Sequence, residues 1–94
     1  MSNQPIDFNK VEALRRHMML TINDMAKLMG VTRMTYYSWL RGSQPRPGNA
    51  ASVRLMLRKL LAIMTEHSWP TTEVIIMSQT ERLTYLEELL DQRK

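Results

Sequence analysis

Residues 21–42 read TINDMAKLMGVTRMTYYSWLRG, and this stretch decides the fold because it spells two short helices joined by a tight turn. Thr21 can accept from the free backbone N–H groups of a first helical turn, and Asp24, three residues on, places a carboxylate at the positive helix end. A helix therefore starts near Ile22. Its apolar residues Ile22, Met25, Ala26, Leu28 and Met29 recur at spacings of three and four, so one face is buried. Gly30 follows, and glycine takes a positive φ at a helix end without a Cβ penalty. Val31 plugs the angle between the helices. Thr32 is a second N-cap, opening a helix that runs to about Arg41, where Gly42 stops it.

These residues resemble the lambda-repressor-like, Cro-type helix-turn-helix regulators. That family places a small residue in the first helix, glycine in the turn and apolar residues inside the second helix, and Ala26, Gly30, Val31, Tyr36 and Trp39 stand in those places. Arg41 and Gly42 repeat the arginine–glycine ending that follows the family's buried tryptophan. Two positions depart from the pattern. Tyr36 replaces an isoleucine or valine, so the core must be wider there or must satisfy a phenolic hydroxyl, and Leu40 replaces a polar residue. The resemblance extends over about residues 7–65. It implies an all-α fold, a compact four-helix core over 7–65 plus a C-terminal amphipathic helix in a helical extension over 71–94, together one domain spanning 1–94.

With Tyr36, Trp39 and Leu40 turned inward, the opposite stripe of the second helix is Arg33, Met34, Tyr37, Ser38 and Arg41. In the resembled family this helix enters the major groove of double-stranded DNA, which implies base contacts from Arg33, Met34, Tyr37 and Ser38. Arg33 can pair bidentately with guanine, and Met34 can touch a thymine methyl. Thr21, Thr32, Arg41, Arg46 and Asn49 are the candidates for holding the phosphate backbone.

Charge agrees with this reading. Residues 1–62 hold ten Lys/Arg against three Asp/Glu, or +7, while residues 63–94 hold three against six, or −3. The basic half is the half that carries the motif, and cations that displace counterions supply much of the affinity for DNA.

Outside the motif, residues 1–6 read as a loose start. Asp7 to about Met19 read as a first helix with Phe8, Val11, Leu14 and Met18 on one face. Ser43 to Asn49 hold two prolines and a glycine and form a loop, with Asn49 a cap for a helix over about Ala50–Thr65. That helix turns Val53, Leu57, Leu60, Leu61 and Met64 inward and Arg54, Arg58 and Lys59 outward, and Pro70 ends it. TTEVIIM over 71–77 fits a short helix or a strand, the helix being favoured. Ser78 and Glu81 form a capping box for a last helix ending near Gln92, with Leu83, Leu86, Leu89 and Leu90 in one apolar stripe. That stripe either folds back onto the core or forms a two-fold dimer interface.

Ninety-four residues make one modest core. Without cysteine there is no disulfide, thiolate nucleophile or cysteine zinc site. The longest apolar run, around Leu60–Met64, is far short of the ~20 residues of a membrane span. His17 and His67 stand far apart as surface or helix-end residues, and the nine methionines read as an adaptable core. The expectation is a cytoplasmic, non-enzymatic regulator without metal or cofactor. It binds DNA as a homodimer, acts as a repressor at a palindromic operator, and by resemblance belongs to a phage or other mobile element. The competing reading is a protein-interaction module, antitoxin-like or polymerase-binding, that uses the acidic, leucine-striped tail as its interface.

Overall fold

Six helices follow one another in the computed structural model, which describes residues 4–93: α1 Phe8–His17, α2 Ile22–Leu28, α3 Arg33–Leu40, α4 Pro47–Glu66, α5 Thr72–Ile76 and α6 Gln79–Gln92. Among the described residues there is no strand, so 71–77 takes the helical alternative. Local chemistry sets most of the starts. Asp7, Thr21, Thr32, Thr71 and Ser78 each accept a backbone N–H of the helix they open, and Thr21–Asp24 and Ser78–Glu81 are reciprocal capping boxes. α4 starts differently from expectation. Asn49 lies inside its first turn, because Pro47, with preset φ and no N–H to leave unsatisfied, takes the first helical position.

Four helices end on the same device, a residue in the left-handed region followed by a backbone bond reaching back five residues. Val31 N–H donates to Ala26, Ser43 to Ser38, Leu20 to Arg15 and Trp69 to Met64, each at 3.0–3.1 Å. Gly30 and Gly42 supply the positive φ after α2 and α3, as expected. After α1 and α4 it falls to Met19 (φ 62°) and Ser68 (φ 51°), which is why α1 stops at His17 and why α4 is already broken two residues before Pro70.

Phe8, Val11, Leu14, Met18, Met25, Ala26, Met29, Tyr36 and Trp39 meet in the core between α1, α2 and α3, where Phe8 packs against both Tyr36 and Trp39. α4 contributes Val53, Leu60 and Ile63, with Leu57 and Met64 partly covered. Leu61, expected inside, is instead exposed, and Ile63 takes its place because the buried positions step by three or seven from Val53. The expected loose start falls partly on residues 1–3, outside the described residues. Ile6, by contrast, is buried, and its N–H and C=O both bond the Gln44 side chain at 2.9 and 3.1 Å.

The C-terminal leucines answer the question left open by the sequence. Leu86 is 0% exposed, Leu89 and Leu90 are buried, and Leu83 is half-buried. The stripe is core of its own chain, with α6 packed on α4, so it offers no free two-fold surface. Two long-range anchors reinforce this. Trp69, stacked on Tyr85, donates its indole N–H to the Met18 carbonyl at 2.8 Å. Arg82, 7% exposed, donates to the carbonyls of Val74, Ile75 and Met77 at the end of α5 and to that of Met19. With Arg15 donating to Leu20, three successive carbonyls of the α1–α2 corner each receive a side chain from elsewhere. A buried arginine is tolerable only when its donors are satisfied, as four backbone acceptors do here.

Candidate nucleic-acid interface

α3 is held by one side and bare on the other. Tyr36 and Trp39 are buried and Leu40 is half-covered, whereas Arg33 is exposed, Met34 is 78% exposed and Tyr37 is 41% exposed. The helix therefore presents Arg33, Met34 and Tyr37 on its outer side, with Arg41 exposed at its C-cap. Ser38 departs from this set. It is half-buried, and its hydroxyl donates to the Thr35 carbonyl at 2.8 Å, so its proton is already committed within the helix.

Among the expected phosphate contacts, Thr32 and Thr21 are occupied as caps, their hydroxyl oxygens accepting from Thr35 N–H (3.2 Å) and Asp24 N–H (3.0 Å). Arg46 is exposed at the N-cap position of α4 and uses no side-chain cap bond. Asn49 is exposed and lines, with Met29, Gly30 and Ser52, a shallow hollow beside the helix–turn. His17 and His67 are exposed at helix ends. Among the described residues no cluster of His, Cys, Asp or Glu is placed to hold a metal, and no helix is long and apolar enough to cross a membrane.

The seat of α3 contains a polar element that the sequence demanded without naming. The Tyr36 hydroxyl donates to Glu12 Oε2 at 2.7 Å, and Glu12 is clasped by Arg15 through two bonds of 2.8 Å. Glu12 and Arg15 lie three apart on α1, so they share a face. That spacing, combined with the need for a partner under a buried tyrosine, was the available signal. Burial, then the bond to Glu12, raises the Tyr36 phenol far above its ordinary range and keeps it a neutral donor. Arg15's bond holds the Glu12 carboxyl below its usual range, with Tyr36 adding to it against the cost of partial burial.

A lowered carboxylate pKa ties stability to pH in one direction. The contribution of Glu12 is full above the unfolded value of about 4.3 and is lost as pH falls through the lowered folded value. Urea midpoints measured from neutral pH down to about pH 3 should therefore fall less steeply in Glu12→Gln than in the parent protein.

Residues 11–53 match the sequence profile of the helix-turn-helix family, covering α1, α2, α3 and the first turns of α4. No curated protein and no solved structure shows significant similarity to the chain. The bare outer side of α3, its capped start and its glycine-turned entry agree with that match, and residues 11–53 are similar to the lambda-repressor/Cro-like helix-turn-helix, a type of DNA-binding domain.

Proposed function

We propose that this protein is a sequence-specific regulator that reads double-stranded DNA through α3 and acts as a repressor, occupying a palindromic operator as a homodimer. The observation that carries the reading is the sidedness of α3. Its inner residues are locked by Phe8, Trp39 and the Tyr36–Glu12 bond, while Arg33, Met34 and Tyr37 stand free on the outside. A rigid helix with a free arginine near its start suits bidentate pairing with guanine, and an exposed methionine beside it suits a thymine methyl. Arg41, Arg46 and Asn49 fix the register on phosphates, and the backbone N–H groups of the helix starts at Thr21 and Thr32 add donors. The tail-as-interface alternative loses its support, since the leucines it relied on are buried.

The test is selection of duplexes from a randomised pool at physiological salt, followed by affinity measurements on the enriched sequence. Arg33→Ala should weaken that complex by about 1–3 kcal/mol, roughly five- to 150-fold, and relax preference at one base position. Arg33→Ala with Tyr37→Ala should reduce binding to the level of unrelated duplexes while leaving the helical circular dichroism unchanged. Retention without any enriched sequence refutes the reading.

A further inference from the structure

The burial of the α6 leucines leaves the proposed two-fold assembly without its expected surface, and the structure offers another. Leu61 is 48% exposed although it lies on the central helix. It stands at the edge of a hollow of about 310 Å³ between α1 and α4, whose lining is almost wholly apolar: Ile6, Val11, Leu14 and Leu57 with Leu61 itself. Asp7 and Lys10 form its rim. They are exposed, opposite in sign, and in no ion pair within the described residues.

Two features say what covers this hollow. First, its rim is self-complementary, because a two-fold axis through it turns Asp7 of each copy toward Lys10 of the other. Second, it reaches the C-terminal end of α3. Ile6 and Asp7 also border the end of α3, together with Trp39, Leu40 and Gly42. A second copy seated there lies beside the end of α3, whereas Arg33, Met34 and Tyr37 border neither hollow. Of the other exposed apolar residues, Met34 and Tyr37 belong to the outer stripe of α3, and Leu55 borders the hollow beside the helix–turn, where Lys59 has no acidic counterpart. Ile75 and Ile76 project from the short α5, and neither lines the α1–α4 hollow.

We propose that a second copy of this chain covers the α1–α4 hollow, Leu61 of each copy entering the hollow of the other, with Asp7 and Lys10 paired across the rim. The contact gives the homodimer of the proposed function its surface and in that sense rests on that reading, but it is tested without DNA. Sedimentation equilibrium from about 1 µM to about 1 mM should show reversible dimers for the parent protein and for Ile76→Lys. Leu61→Lys, at an exposed site, should remain folded by circular dichroism and raise the dissociation constant at least ~10-fold.

A parent protein that is monomeric throughout, a Leu61→Lys variant that dimerises like the parent, or loss of the dimer in Ile76→Lys instead overturns the proposal. Selective DNA binding by a strictly monomeric protein would remove this contact and leave base reading by α3 standing. A dimer broken by Leu61→Lys that selects no DNA sequence would do the reverse.

Discussion

Replacing Arg82 by alanine should lower stability by about 3–5 kcal/mol, among the largest effects of any single substitution in this protein. The side chain is buried, and its guanidinium satisfies four carbonyls on two separate elements, the end of α5 and the α1–α2 corner. Truncation leaves those acceptors without their donor and opens a void where the α5 turn, α6 and the corner meet. Each hydrogen bond to a charged group contributes on the order of 1.5–3 kcal/mol, although members of one network do not add. In a domain of this size the loss corresponds to a drop of roughly 15–30 °C in Tm. Lysine should not rescue it, because one ammonium cannot span acceptors arranged for a planar five-donor fork. Urea midpoints of Arg82→Ala and Arg82→Lys check this. A Tm within a few degrees of the parent in either variant contradicts the role assigned to the side chain.

Tyr36→Ala should be comparably severe, at about 3–5 kcal/mol, because it removes a 0%-exposed ring that packs on both Phe8 and Trp39 and strips a donor from the Glu12–Arg15 pair. Tyr36→Phe separates the two contributions. The ring and its edge-to-face contact with Phe8 remain and only the bond to Glu12 is lost, for about 1–2 kcal/mol. Glu12 keeps Arg15, which is why the phenylalanine variant should fold. Denaturant unfolding of both variants distinguishes a seat that depends on packing alone from one that also depends on the buried polar bond. Equal midpoints for Tyr36→Phe and the parent would mean that the hydroxyl contributes nothing.

How much of this was legible in the sequence depended on whether the determining contact was local. The caps at Thr21, Thr32 and Ser78 and the turns at Gly30 and Gly42 are settled within a few residues, and each stands where its chemistry placed it. Met19 and Ser68 perform the same turn without glycine, so nothing in their side chains announced it. Asn49 has the right chemistry for a cap, but Pro47 preceded it and moved the helix start forward. Leu61 and Ile63 are equally apolar, and only the registry of α4 on its neighbours decides between them.

The outer stripe of α3 was readable as a stripe, because its inner side was fixed by two aromatic residues. The commitment of the Ser38 hydroxyl to its own helix was not readable, since serine bonds as readily outward as inward. Arg82 was the least legible residue of all. In the sequence it is one cation on an amphipathic helix, and its acceptors, among them the Met19 carbonyl 63 residues away, exist only after folding.

The α1–α2 corner has a consequence for how this fold can vary through descent. Its three carbonyls, at Met18, Met19 and Leu20, are held by Trp69, Arg82 and Arg15. A backbone oxygen is the same whatever side chain stands beside it. The half-exposed position 19 is therefore free to drift among residues that accept a left-handed φ, glycine and asparagine first. Positions 15, 69 and 82 carry the inheritance of that corner in its place. In a lineage of such proteins the shape of the bend would be remembered at sites outside it, two of them far along the chain, while the bend itself forgot its letters.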